Sequence, residues 1–296
     1  MKTCIIFNPV ARGEKAQRFR KQVSAFGQAC ALKPTTGPGA GRALAADAVR
    51  EGFDTIVAAG GDGTLNEVLN GIGDEAEGFA RVRLGVLPLG TANVFAKELG
   101  LPMEVGRAWQ IIQSGRERTL DLAAAEFTES GQPARRYFAQ MAGAGLDARA
   151  IELVDWEQKK RFGAVAYVIA GIKAIRGGLP QIVATNGTQT CAGELALIGN
   201  GRFYGGRFVL FPQADLGDGL LDVTIFPRVD WSTVVRCGWR VLTRQSPTAG
   251  TALHFQGKSI QLSCSSPAPF QVEGENVGHL PATFSIQPAR LRVIAP

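Results

Sequence analysis

Residues 60–67 read Gly60-Gly61-Asp62-Gly63-Thr64-Leu65-Asn66-Glu67, glycines gathered around one carboxylate. Glycine lets the backbone turn tightly and approach a ligand with no Cβ in the way. Thr64 followed by Glu67 has capping-box spacing, so the sequence predicts a helix from Thr64 through Val68 and Leu69 to a stop at Gly71. Free amides and the positive end of that helix would then favour an anion at the loop. Asp62 does not suit a bare phosphate cradle, because it repels phosphate unless a cation lies between them or it handles a proton. The chemistry expected is a phosphate site with magnesium.

Such a loop needs a strand before it and a helix after it. The apolar, partly β-branched run at 55–59 reads as a buried strand. Around it, residues 2–7 and 84–87 read as strands and 29–32 as a short extended segment. Helix patterns cover 14–26, 42–50 and a stretch ending at Leu99. Strand–helix alternation of this kind argues for a parallel sheet covered by helices, with ligand loops at the carboxyl ends of its strands. Asn8-Pro9 to Gly13, the turn from Thr35 to Gly41, the Gly60 loop and Gly90 to Asn93 would then gather on one edge and could share a nucleotide. No Walker loop or dinucleotide-binding glycine motif is present.

After Gly115 the pattern changes. Strand candidates at 119–127, 137–141, 181–185, 190–198, 207–211 and 220–226 follow in quick succession, then 252–255, 258–264, 270–273, 282–287 and 290–294. Two helix-like segments, 154–176 and 231–243, interrupt what is otherwise an antiparallel β domain. The expected organisation is an α/β domain over 1–118 and a β-sandwich over 119–288. The last strand, 289–296, is a candidate to return to the first domain.

The chain has 296 residues, 45% of them hydrophobic and 20% charged, in the range of soluble globular proteins. No apolar run is long enough to span a bilayer, and the amino terminus is too short in apolar residues for a secretory signal. Cys4, Cys30, Cys191, Cys237 and Cys264 are scattered without CxxC pairs, which disfavours a disulfide framework or zinc site and suits the cytoplasm. The net charge of +6 is compatible with nucleic acid, an anionic membrane or phosphorylated substrates. His254 and His279 are isolated, so no histidine catalysis is expected.

The pattern as a whole resembles the diacylglycerol kinase catalytic domain family, which includes bacterial lipid kinases and sphingosine kinases. The residues that carry the likeness are Asn8-Pro9, Thr36, the Gly60 to Asn66 run and Pro88-Leu89-Gly90-Thr91-Ala92-Asn93. In the second half they are Lys160-Arg161-Phe162-Gly163, Asn200-Gly201, Gly205-Gly206, the run from Pro212 to Asp222 and Glu273-Gly274-Glu275. The glycine–aspartate loop is also distantly similar to that of NAD kinases and phosphofructokinases. The resemblance implies a two-domain kinase with ATP in the cleft between an α/β domain and a β-sandwich. By position, Asn8, Thr36, the stretch from Gly60 to Glu67 and Thr91 correspond to the ATP contacts. Asp215, Asp218 and the carbonyl of Leu220 correspond to a Mg²⁺ site, and Glu275 to the base that takes the proton of a lipid hydroxyl. The family usually reads Asp-Gly-Glu where this chain has Glu273-Gly274-Glu275.

The residues themselves support part of this. Two carboxylates and a turn carbonyl give Mg²⁺ a partial shell of hard oxygens, and the segment also reads as an acidic turn. Asp62 could reach the same metal chemistry through water. Trp231, Arg236, Trp239, Arg240 and Arg244, and the segment beginning Lys159-Lys160-Arg161, could lie on an anionic bilayer or pack as amphipathic helices on the sandwich. Nucleic-acid binding is not expected, since the basic residues sit on no recognised binding fold. The reading is an ATP- and Mg²⁺-dependent lipid kinase, cytoplasmic and peripheral to the inner membrane. Its rivals are a soluble-substrate kinase of the NAD kinase type and a catalytically silent nucleotide- or lipid-binding protein.

Overall fold

The structure, a computed structural model, describes residues 2–9, 17, 19, 30–153, 174, 178–206, 208–243 and 248–296. The first part comprises β1 (Thr3–Phe7), β2 (Ala31–Pro34), α1 (Ala40–Arg50), β3 (Thr55–Gly60) and α2 (Asp62–Asp74). It continues with α3 (Gly78–Arg81), β4 (Arg83–Pro88), α4 (Val94–Glu98) and α5 (Val105–Ser114). The four strands run parallel in the order β2-β1-β3-β4. Their continuous apolar character has a direct cause. Cys4, Ile6, Ile56 and Ala58 point to one face, in a cluster with Ala45, Val49, Val68 and Leu69 of α1 and α2. The alternate residues Ile5, Val57 and Ala59 point to the other, where Val105, Ala108 and Ile112 of α5 cover them. A sheet buried on both faces leaves no polar position to alternate with. Parallel pairing also brings Asn8, Thr36, Gly60 and the 88–93 loop to one edge.

The second part comprises β5 (Glu117–Glu129), β6 (Gln132–Phe138), β7 (Met141–Gly145), α6 (Leu146–Leu153), β8 (Ile182–Thr185), β9 (Thr190–Gly193) and β10 (Leu195–Gly199). Then come β11 (Phe203–Tyr204), β12 (Phe208–Val209), β13 (Leu221–Phe226), α7 (Trp231–Leu242), β14 (Leu253–Gly257), β15 (Ser259–Cys264), β16 (Pro269–Val272), β17 (Glu275–His279) and β18 (Ala282–Ile294). An antiparallel sheet in the order β14-β13-β10-β7-β16-β17 buries Phe270, Ile198 and Val223 against Phe138 of β6, Ile260 of β15 and Phe284 of β18. Phe270 meets Phe127 and Phe284 edge-on, with ring centres 5.1 and 5.7 Å away.

β18 ties the two parts together. Its first half pairs with β15 and β5, and Val293 pairs in parallel with Leu84 of β4. A register shift between Gln287 and Leu291 separates the halves. Asp121 of β5 sits opposite this bulge, accepting the Ala289 N–H at 2.7 Å and the Gly219 N–H at 2.6 Å. One buried carboxylate therefore satisfies the backbone that the bulge leaves unpaired.

Several elements differ from the sequence expectation. α2 begins at Asp62 and ends at Asp74, not at Thr64 and Gly71. The capping box does not form because Glu67 reaches another helix: its two oxygens accept the N–H groups of Gly39 and Gly41 at 2.8 and 2.7 Å. Gly71 marks a helix crossing, where a Cβ would collide with the Arg42 carbonyl of α1. The 137–141 strand breaks at Ala139 and Gln140, the 190–198 strand breaks at Glu194, and 282–294 is one bulged strand. β17, α5 and α6 were not anticipated. Apart from Gln17, Phe19 and Ala174, the expected helices at 14–26 and 154–176 lie outside the described residues, as do Gly13, Lys159, Lys160, Arg161 and Arg244.

Asn70 locks α2 to β6. Its amide donates to Tyr137 O at 3.0 Å and accepts from Tyr137 N at 2.9 Å, and it also bonds Asn66 of its own helix. Asn70→Ala would take the side-chain partner from both backbone groups of half-buried Tyr137. The expected loss is about 2 kcal/mol of stability, read as a lowered denaturation midpoint with an unchanged slope.

Candidate active site

The loop at the centre of the parallel edge is held from both sides. Leu89 N and Gly90 N donate to Gly60 O at 2.9 and 3.2 Å, joining the turns that follow β4 and β3. The contact is so close that a Cβ on Gly90 would lie 2.5 Å from Gly61 Cα. Asn93, at φ 48°, closes the second turn by accepting Gly90 N and donating to Gly90 O. Asp62 then spans the two turns, its Oδ1 accepting Val94 N at 2.7 Å at the start of α4. Burial raises the Asp62 pKa, and the backbone N–H groups of Val94, Phe95 and Asn93 oppose that rise. The carboxylate thus lies between two helix amino ends, where local dipoles favour its anion.

The other expected nucleotide contacts divide by what their side chains do. Asn8 follows β1, with its N–H directed at Ala59 O at 3.4 Å, and Thr36 and Thr91 are exposed on the turns after β2 and β4. Gly60, Gly61, Gly63 and Thr64 form the turn and the first helical residues, and Thr64 packs over Gly60. Leu65 is buried in the core, Asn66 is buried beside Asn70, and Glu67 caps α1. Those three side chains build the loop's support.

Across from this loop stands the β16–β17 hairpin. Glu273 and Gly274 form its two-residue turn with φ of 52° and 83°, the left-handed pair that matches hairpin twist. Glu275 follows, exposed, and a Cβ built on Gly63 would lie 3.5 Å from its Oε1. The β domain thus presents a carboxylate to the first turn of α2. The turn is braced in depth. Gly274 N donates to Gln271 Oε1 at 2.7 Å, and Gln271 Nε2 donates to Asp147 Oδ2 at 2.7 Å. Tyr204 OH holds the other Asp147 oxygen at 2.8 Å, and Asn276 Nδ2 reaches Ala148 O at 3.0 Å. Nothing in the local spacing of Asp147 and Gln271 signalled this brace.

Glu273, where the family usually has Asp, turns its carboxylate inward. Oε1 accepts Ala139 N at 2.8 Å and Gln140 N at 2.7 Å, the residues at which the β6–β7 run is broken. The residue is half-buried while its carboxylate is enclosed, and that burial, with the Asp62 charge adding to it against the amides, raises its pKa to about 7. The folded chain therefore binds this proton more tightly than the unfolded chain does. The associated stability is fully present below the ordinary value of 4.5 and is lost as pH rises through about 7. Glu273→Gln keeps a carbonyl for the two amides and removes the charge. Thermal unfolding from pH 5 to 8 should show a flatter profile for the variant, which gains on the order of 2 kcal/mol relative to wild type at the alkaline end.

Asp215 and Asp218 lie in the loop between Phe211 and β13. Their carboxylates accept Gly217 N and Leu220 N, each at 2.9 Å. Burial raises Asp218, and the nearby charges of Asp215 and Asp121 add to it. Among the described residues no group of three or more His, Cys, Asp or Glu stands close enough to hold a metal ion. The donors fit Mg²⁺ as a partial shell, two carboxylates and the Leu220 carbonyl completed by water. Both of these bonds stay within the loop. A cleft of about 570 Å³ lies further along α2, lined by Asn70, Gly73, Asp74, Glu126, Arg135 and Tyr137.

Comparison with known proteins fits this two-part site. Residues 2–125 match the family model described as "Diacylglycerol kinase catalytic domain". Residues 140–295 match that of the "YegS C-terminal NAD kinase beta sandwich-like domain". The chain is 31% identical over 277 residues to a Pseudomonas aeruginosa protein named "Probable lipid kinase YegS-like", covering 91% of this chain and 86% of that one. It is 29% identical over 300 residues to the diacylglycerol kinase of Bacillus subtilis, covering 99% and 95%. A crystal structure of a diacylglycerol kinase from Bacillus anthracis superposes with a TM-score of 0.73 at 20% identity, over all of this chain and 97% of that one, a likeness of fold. With the glycine loop on its parallel edge and the Glu275 hairpin facing it, this chain belongs to the family of diacylglycerol and related lipid kinases.

Proposed function

We propose that the protein transfers the γ-phosphoryl group of ATP to a hydroxyl of a diacylglycerol-like or related lipid at a membrane surface. The observation that carries this reading is the approach of Glu275 to Gly63, which sets a carboxylate from the β domain beside the glycine loop. In this mechanism the amides of the Gly60 loop and the amino end of α2 hold the nucleotide phosphates. Asn8, Thr36 and Thr91 border the same edge and complete the nucleotide contacts. Glu275 accepts the proton of the lipid hydroxyl as its oxygen bonds the γ-phosphorus. The bond from that phosphorus to the bridging oxygen breaks, and ADP leaves. Mg²⁺, when bound, neutralises phosphate charge; Asp215, Asp218 and the Leu220 carbonyl would hold one ion, and Asp62 would face metal through water.

Asp62 also sets the shape of the loop through Val94, so both charge and geometry depend on it. The test is ADP release with a panel of diacylglycerols, sphingoid bases, other hydroxylated lipids and NAD. Turnover with a lipid supports the reading. Turnover with NAD alone assigns the site to a soluble acceptor, and tight ATP binding without any turnover marks a silent binding protein.

A further inference from the structure

We propose that α7 is a docking surface for an anionic bilayer, lying along it with a tryptophan–valine stripe at the headgroup level. The idea deepens the lipid-kinase reading, on which its biological role rests, by naming the surface through which the protein meets its acceptor's membrane. The helix has two apolar sides. Thr233 is buried and Cys237 half-buried, and Cys237 packs with Met141, Leu197, Phe211 and Phe226 over the antiparallel sheet. On the opposite side Trp231, Val234, Val235 and Trp239 remain 46%, 42%, 67% and 67% exposed. At 3.6 residues per turn these four fill an arc of about 140°. A helix facing only water has no reason to carry two tryptophans and two valines there, and exposed apolar patches rimmed by polar residues mark interaction sites.

Charge decides the occupant. Arg228 and the exposed Arg236 accompany the stripe, and the one acid in the segment, Asp230, is used within the chain. It accepts Ser232 Oγ at 2.7 Å and Thr233 N at 2.9 Å, capping the first turn, and faces Arg228 at 3.9 Å. Arg236 has no acid of the same helix to meet. Tryptophan is the residue of membrane–water interfaces, and arginine beside it favours anionic lipid. A second copy of the chain would bring these arginines towards one another, which disfavours self-association through this face. The packed side of the helix also joins it to the sheet of the site. Val229, just ahead of α7, shares an apolar cluster with Met141, whose carbonyl receives Glu273 N at 3.0 Å. α7 therefore rests on the sheet whose β16–β17 hairpin carries Glu275.

The experiment is sedimentation of the full chain with vesicles of phosphatidylcholine containing phosphatidylglycerol, against phosphatidylcholine alone, at low and high salt. Wild type is expected to partition to the mixed vesicles. Trp231→Ser with Trp239→Ser should lower that partitioning by about tenfold or more. Arg236→Gln should lower it about fivefold at low salt and much less at high salt. These variants should melt with wild type, since Trp231, Trp239 and Arg236 are exposed. The proposal is overturned if wild type ignores anionic vesicles, or if the tryptophan variant binds them as wild type does. A dimer in ultracentrifugation that Trp239→Ser dissolves, without vesicle binding, would reassign the face to a second copy and also overturn it. Phosphorylation of short-chain, water-soluble members of the lipid panel above, diacylglycerols, sphingoid bases and other hydroxylated lipids, is measured in parallel. Its absence with α7-dependent binding defeats the kinase reading and leaves docking standing; its presence with binding that ignores α7 does the reverse.

Discussion

Glu275→Gln is expected to lower kcat for lipid phosphorylation by about two to four orders of magnitude, the usual contribution of a positioned base. The substitution keeps size and shape while removing the negative charge and the ability to take a proton. Glu275 is exposed at the start of β17, and its turn is held by Glu273 and Gln271, so the melting temperature should not move. ATP affinity, measured by calorimetry, should also be retained, because the glycine loop belongs to the other domain. A variant with near-normal kcat would remove Glu275 from the chemistry. A variant that lost ATP binding as well would make the residue part of the nucleotide site instead.

Gly90→Ala carries the second large effect. Its new Cβ would meet Gly61 Cα at 2.5 Å and Asn93 Oδ1 at 2.8 Å, both within the paired turns. Neither is the far end of a long flexible side chain, so the turns after β3 and β4 must separate. Overpacking of this kind costs about 1–3 kcal/mol. The functional loss should exceed what that destabilisation explains, since a shift of about 1 Å in a positioning loop can cost about 100-fold in rate. The expected result is a folded protein whose ATP affinity and kcat/KM both collapse. Retained ATP affinity in Gly90→Ala would show that the two turns do not form the phosphate site together.

The contrast between these two residues shows what the sequence discloses. The β3–loop–α2 unit was legible because its signals are local: a short apolar strand, glycines, then helical spacing. The parallel sheet followed from the alternation of strands and helices over the first hundred residues. What the sequence hid were partners far away along the chain. Glu67 has a capping-box neighbour in Thr64, yet the amides of Gly39 and Gly41 take its carboxylate. Gly71 looks like a helix stop and is a crossing point, because only the folded pair of helices brings Arg42 against it. β17 lacks the apolar alternation of a strand, with its Asn276, Gly278 and His279, and forms by pairing along β16. The Asp147–Gln271 brace joins residues 124 positions apart. Motif spacing identified the candidate residues; the supports that aim them come from tertiary contacts.

The most direct test of the central claim is mass spectrometry of the organic phase after the purified protein is incubated with labelled ATP, Mg²⁺ and a mixed lipid extract. The account predicts a lipid carrying the labelled phosphate on a former hydroxyl, formed by wild type and absent with Glu275→Gln. Label appearing only in the aqueous phase, on a soluble alcohol or NAD, with the lipids unchanged, would contradict it.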